Sequence, residues 1–528
     1  MPDPQARQPN QLPELPAAAR ITRGQWLTLI AAFLGWMFDG FEMGLFPLVA
    51  RPALSDLMGP GQTAAVEPWL GMMAAVFLVG AATGGVLFGW LGDRIGRVRA
   101  MTLSVLTYTL FMGMCGLSRT AEEVFAYRFI CSLGMGGEWS LGVALVMEIW
   151  PNESRGKLAA LIGAASNVGF LTIAVISLGV GQVIGSLAAW LLAAGIPQSL
   201  VTTLVDHGAW RLLMLTGIVP ALLAFLIRLF VPESERWKKE QQSGATSHWA
   251  TVDLLGVAVG ALGPMGMIFL CAPNWSFSLP TRVMGSVLGV GLALFGYTYP
   301  VRRYLSRAQP SGGDPRHAPA ATFRRMLVGA CLTGVALLGT WGAVQFAPSW
   351  ADKLVEKSSA EQGLSPEAAA AARSAARSYT QILSSIGAIF GTIAGALLGN
   401  AIGRRATYTL LCLASLASAL VFFRMNTEYG PFFLATIAIT GGTTASFYGW
   451  IPLYLPELFR TCVRATGQGF SFNFGRILAA VGALQTGNLI RLFDNSYPNA
   501  CTLIISIYVL GVFLIWLAPE TRGEPLPD

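Results

Sequence analysis

Gly92-Asp93-Arg94-Ile95-Gly96-Arg97 joins two long apolar runs, and Gly399-Asn400-Ala401-Ile402-Gly403-Arg404-Arg405 joins two others far downstream. Two more landmarks follow each copy in the same order. Glu148 and Arg155 bracket a loop seven residues apart, as Glu457 and Arg464 do later. Pro232-Glu233-Ser234 then closes the first half and Pro519-Glu520-Thr521 the second. Agreement in order and spacing marks an internal duplication, which is typical of secondary transporters whose site lies between the repeats.

The setting of these loops is a chain of 528 residues, 54% hydrophobic and only 12% charged. A water-soluble domain has about twice that share of charge. Its apolar runs are mostly near the ~20 residues that span a bilayer. They do not alternate in the ~10-residue pattern of membrane barrels. About fourteen spans are expected. The net charge of +7 is carried by alternate loops, among them those with Arg94 and Arg97, Arg155 and Lys157, Arg404 and Arg405, and Arg460 and Arg464. The positive-inside rule makes these loops cytoplasmic, with both termini on that side. The basic balance therefore reads as topology, not as nucleic-acid binding.

The expected organisation is a disordered N-terminus (1–24), a six-helix bundle (25–231), and loops with two extra spans (232–325). A second six-helix bundle (326–517) and a short cytoplasmic tail (518–528) follow. The extra spans are Val252–Cys271 and Val283–Tyr299; being a pair, they keep the second half in the orientation of the first. Leu187–Val205 is apolar, but counting it would invert every later loop, so it is expected as an external re-entrant or surface helix. Ser359–Arg377 is expected as a soluble external helix. The fold class is thus an all-α integral membrane protein with two related bundles.

No HExxH, P-loop or Cys/His metal spacing occurs, and the seven cysteines form no CxxC pair. No metal, cofactor or enzymatic activity is expected, and transport must draw on a gradient. The chemistry-bearing residues lie inside the spans. Asp39 and Glu42 are three apart on one helix and so share a face. Acids at membrane depth are costly and usually face a cavity. Two so close do not ionise together easily, which suits a proton carrier. Glu138, beside Gly134, Gly136 and Gly137, is a second proton site or the partner of a cation from another helix. Arg128 opens the same span and is expected either to hold a carboxylate or to modulate the acids of the first span. Arg476, in Asn473-Phe474-Gly475-Arg476, is either an anion ligand, for which a guanidinium is suited, or the ion-pair partner of an acid such as Asp39. Trp341, Gln345, Tyr448 and Trp450 are cavity-wall candidates or plain packing.

The Gly92–Arg97 loop resembles the motif between helices two and three of the major facilitator superfamily, and the likeness covers nearly the whole chain. Asp39-Gly40-Phe41-Glu42, with Arg128 and Gly134-Met135-Gly136-Gly137-Glu138-Trp139, resembles the sialate:proton symporters and their lactate and aromatic-acid relatives. That family commonly has a second Asp at the position of Glu42. The resemblance implies a bacterial-type inner-membrane protein, a monomer, moving a small organic anion with a proton by alternating access. It gives Asp39, Glu42 and Glu138 to proton coupling, and Arg128, Arg476, Asn473, Gln345, Trp341 and Tyr448 to the substrate. Asp93, Arg94, Arg97, Glu148 and Arg155 would form a cytoplasmic gate, with Arg404, Glu457 and Arg464 as its second copy. The Pro-Glu-Ser and Pro-Glu-Thr endings look more like sugar porters, which keeps a sugar or polyol as the alternative substrate. A transporter-like receptor is disfavoured by the short tail.

Overall fold

The structure, a computed structural model, describes residues 23–59, 61, 65–149, 155–219, 251–272, 277–308, 318–460, 463–524 and 527. Residues 1–22 of the expected disordered start, the end of the expected first bundle (220–231) and the Pro232-Glu233-Ser234 landmark lie outside these residues, while Arg23 and Gly24 open the first helix. The described residues are helical throughout, with no strand among them.

In chain order the first-half helices are α1 (Arg23–Met58), α2 (Val66–Ile95), α3 (Arg97–Gly116), α4 (Ala121–Ile149), α5 (Arg155–Ala193) and α6 (Gln198–Thr216). An inserted pair follows, α7 (Thr251–Cys271) and α8 (Leu279–Ala308). The second half contains α9 (Pro319–Gly342), α10 (Ala347–Glu361), α11 (Pro366–Ile402), α12 (Arg404–Met425), α13 (Pro431–Ala445) and α14 (Phe447–Tyr454). It ends with α15 (Arg464–Leu492), α16 (Tyr497–Ile505) and α17 (Ile507–Leu514). Nine stretches among the described residues are long and apolar enough by themselves to cross a bilayer. Leu255–Cys271, within an expected crossing, is a shorter apolar helix.

The duplicated loop is visible in the backbone. Gly96 (φ 105°) separates α2 from α3, and Gly403 (φ 99°) separates α11 from α12. Such positive φ angles are open to glycine at little cost. Packing repeats as well. In the first half α1 lies on α5, α2 on α4, and α3 on both α4 and α6. In the second, α9 lies on α15, α11 on α13, and α12 on both α13 and α17. The halves meet along two seams, α2 against α15 and α5 against α11. The inserted α7 and α8 pack along each other, and α7 leans on α2 beside the first seam. There Tyr297 reaches Thr83 through a 2.9 Å hydroxyl contact and sets its ring against Phe474.

Two expectations about the loops are corrected. Leu187–Val205 is not one separate helix: its start prolongs α5 and its end opens α6, with a turn through Gly195 between them. At 39 residues, α5 is about 58 Å long by helix rise, well beyond a ~30 Å hydrocarbon core. Helix α6 then breaks at Asp206–Ala209, where the backbone leaves helical angles. Ser359–Arg377 is not a free external helix either. Its first part ends α10, and the rest is the leading end of α11, which continues unbroken to Ile402.

Candidate functional site

A central cavity lies between the halves. Trp36, Asp39 and Met43 of α1, Phe77 of α2 and Asn167 of α5 line one side. Trp341 of α9, Gln345, Gln381 of α11, Tyr448 of α14 and Arg476 of α15 line the other. The space amounts to about 1340 Å³ including its open mouth, which is roomy for either a sugar or an aromatic acid. Charge, not size, therefore distinguishes the candidates.

Among the described residues, two charged side chains meet this space. Arg476 is buried, 7% exposed, and its Nη1 donates to Asn473 Oδ1 (3.2 Å) and to the Ala81 carbonyl of the first half (3.3 Å). The guanidinium also lies 4.7 Å from the Phe472 ring centroid. Asp39, on the opposite wall, is buried and within electrostatic range of Arg476. Asn473 is not itself on the cavity wall; its part is to hold Arg476, which corrects its expected role as a direct ligand.

Glu42 and Arg128 do not face the cavity. Although Glu42 is three residues from Asp39, it turns toward α4, where Arg128 Nη1 donates to its Oε1 at 3.2 Å. Both side chains are about 1% exposed, and Cys131 Sγ donates to the same oxygen at 3.5 Å. Phe46 and Phe77 cover the guanidinium, at 3.8 and 4.9 Å to the ring centroids. Arg128 is thus held in a buried ion pair with an acid of α1, the second of its two expected roles, and not on the cavity wall as a substrate ligand. Phe77 also lines the cavity and stacks on Trp341 of the second half at 4.8 Å. Trp450 is also off the wall: it is fully buried and donates to the Arg404 carbonyl.

The gate residues divide by half. The side chains of Asp93, Arg94, Arg97, Glu148 and Arg155 lie outside the described part, as does that of Glu138. In the second copy Arg404 binds Glu457 through two hydrogen bonds, Nε to Oε2 (2.9 Å) and Nη2 to Oε1 (2.6 Å). Thr521 donates to Glu457 as well, and Arg464 donates to the carbonyls of Pro456, Phe459 and Pro527. These contacts lie within the second half. Beside them Glu520 accepts the backbone N–H groups of Arg404, Arg405, Thr521 and Arg522. Partial burial alone would raise its pKa, but these donors prevail and hold it below the usual carboxylate range.

A charged contact that joins the halves lies on the opposite face and was not anticipated. Asp352 of α10 is fully buried and accepts from Arg51 of α1 and from Arg373 and Arg377 of α11. Arg51 also bonds Glu356 at 3.0 Å and approaches Glu67 at 3.7 Å, while Tyr497 donates to Glu67 at 2.6 Å. Asn167 and Gln381 on the cavity wall were likewise missed. Asn167 bonds Thr392 across the second seam at 3.1 Å. Single polar residues in apolar helices carry no periodic signal, so Asn167 and Gln381 did not stand out in the sequence.

Residues 27–253 match the family model described as "Sugar (and other) transporter". A protein named for metabolite transport in Haemophilus influenzae is 25% identical over 503 residues, covering 95% of this chain and 98% of that protein. The cis,cis-muconate transport protein of Acinetobacter baylyi is 29% identical over 42% of this chain and 47% of its own. The sialic acid transporter NanX of Escherichia coli is 26% identical over 47% and 54%. Among solved structures, the xylose transporter XylE of Escherichia coli superposes with TM-score 0.62 at 16% identity, covering 96% of this chain and all of that one. A human organic anion transporter, MFSD10, superposes with TM-score 0.59 at 16% identity, over 94% of this chain. The fold is that of the major facilitator superfamily, and fold and relatives together mark a multi-pass membrane transporter. It is related to carriers of metabolites and anions, and it is not an enzyme.

Proposed function

We propose that the protein is a proton-coupled symporter of a small organic anion, working by alternating access between two six-helix bundles. The observation that carries this reading is Asp39 and Arg476 facing one cavity from opposite halves. With Asp39 ionised and the cavity empty, the two charges cancel. With Asp39 protonated and a carboxylate on Arg476, they cancel again. A proton alone leaves one net positive charge, and an anion alone leaves one net negative charge. An uncompensated buried charge costs several kcal/mol, on the order of 3–5. Occlusion therefore favours the empty and the fully loaded carrier, and that preference is coupling. The basic-loop face would be cytoplasmic and the Asp352 face external. A relative named for cis,cis-muconate transport and another for sialic acid transport fit this substrate class.

The second reading is a sugar or polyol porter. The family model and the xylose transporter structures stand on its side, and Gln345, Gln381 and Asn167 are neutral groups of the kind that bind hydroxyls. Uptake into proteoliposomes under an inward proton gradient separates the two. The probes are labelled sialic acid, lactate, benzoate, xylose and glucose. Accumulation of an acid, abolished when the gradient is collapsed, is the expected result. Sugar uptake without acid uptake would overturn the anion reading.

A further inference from the structure

Helix α1 carries Pro47 in its interior. Proline has no N–H, so the carbonyl four residues back, that of Met43, loses its intrahelical donor. A buried carbonyl left so is costly, and such groups nearly always find another partner. Here the partner comes from the other half: Gln345 Nε2 donates to Met43 O at 3.3 Å. Gln345 sits in the short turn Val344–Phe346 where the chain breaks between α9 and α10. One residue on, Gln381 Nε2 donates to Gly44 O at 2.7 Å and to Phe170 O at 3.4 Å. Gly44 allows this approach, since a Cβ there would lie 2.8 Å from the Gln381 amide nitrogen. Met43, Pro47, Gln345 and Gln381 all line the cavity.

We propose that Gln345 is a positioning residue of the transport cycle: it supplies the hydrogen bond that Pro47 removes from α1, and so holds α1 to the second half at the Asp352-side mouth of the cavity. This rests on the alternating-access reading but not on the identity of the solute. Opening that mouth carries α1 away from α9–α11, and Met43 O must then exchange an amide for water. The bond therefore biases the protein toward the form closed on that face. The Gln381 bond differs in kind. Leu48 has an N–H to offer Gly44 O, so Gln381 adds a tie without replacing a missing one.

The test is a distance measurement between spin labels at Thr203→Cys and Glu361→Cys, exposed positions on the two halves, in a background cleared of reactive thiols and with no solute added. Gln345→Leu is expected to raise the open-to-closed ratio about fivefold, the scale of one net hydrogen bond. In a Pro47→Ala background, where residue 47 regains its N–H, Gln345→Leu should change the ratio little, while Gln381→Leu should keep its effect. Equal effects of Gln345→Leu with and without Pro47, or none in either, would overturn the proposal. If Pro47→Ala does not fold, Gln345→Asn substitutes for it. Its amide is one carbon short, so a shift equal to that of Gln345→Leu supports the tie, and wild-type populations overturn it. Because no solute is present, a failed uptake assay leaves this outcome standing, and the converse also holds.

Discussion

Arg51, near the end of α1, bonds Asp352 of α10, 301 positions later in the chain. The first half thereby inserts a cation into a site that the second half has built from one buried carboxylate and two more arginines, Arg373 and Arg377. The acid is the common element: without it three guanidiniums repel one another, whereas without Arg51 two remain to satisfy it.

This asymmetry predicts unequal effects of mutation. Asp352→Ala should destabilise the protein by about 3–5 kcal/mol, the cost of stripping a buried partner from its counter-charges. Arg51→Leu should cost roughly 1.5–3 kcal/mol, the scale of a hydrogen bond to a charged group. It should also favour the form open on this face. Thermal unfolding in nanodiscs measures the first effect, and thiol labelling at a cysteine placed in the cavity measures the second. Equal losses of stability would mean that Asp352 is not the hub.

The cancelling charges of Asp39 and Arg476 make a kinetic prediction. In Asp39→Asn the empty cavity always carries one positive charge, and the anion-loaded cavity is neutral. The loaded carrier still crosses, but the empty one does not return. Exchange of labelled for unlabelled substrate should persist near wild-type rates, with net accumulation lost. Counterflow and gradient-driven uptake, run on the same vesicles, give the two numbers. Wild-type accumulation by this variant would remove Asp39 from proton coupling.

Why Asp39 and Arg476 were legible in the sequence while Asp352 was not follows from where each lies. An acid or a guanidinium amid twenty apolar residues has no cheap explanation other than a cavity or a buried partner. Asp352 lies in Trp350-Ala351-Asp352-Lys353-Leu354, beyond an apolar run, and reads as an ordinary charged surface turn. Only tertiary packing, which brings α1 and α11 against α10, buries it. The same limit applies to Arg128. Its place on α4 is clear from the sequence, but whether it faces the cavity or Glu42 depends on a rotation that helical periodicity does not set when both faces are apolar. The duplicated glycines were legible because their backbone need is local: Gly96 and Gly403 hold positive φ at equivalent turns.

Arg476 is positioned by Asn473, which gives a graded pair of variants. Arg476→Lys keeps the charge but loses the planar fork, and should weaken substrate affinity about 10- to 100-fold. Asn473→Ala removes one acceptor from the guanidinium and should raise KM about fivefold, the worth of one net hydrogen bond, with the rate at saturation little changed. Concentration-dependent uptake separates KM from the maximal rate. A fall in the maximal rate alone for Asn473→Ala would argue that this residue acts on the conformational step.

Glu520 offers a test by pH. Its carboxylate caps the start of α12 by accepting the N–H groups of Arg404 and Arg405, and its folded pKa is depressed. A depressed acid contributes stability that is present above its unfolded pKa and is lost as pH falls through the folded value. Wild type should therefore be more stable than Glu520→Gln near neutral pH, and the difference should shrink in acid as the wild-type carboxylate takes up its proton. The group is largely exposed, so the effect is small and partly screened. Unfolding temperatures of both proteins between neutral pH and pH 3 would show it. A difference independent of pH would mean that the variant disturbs the tail by some route other than the charge of Glu520.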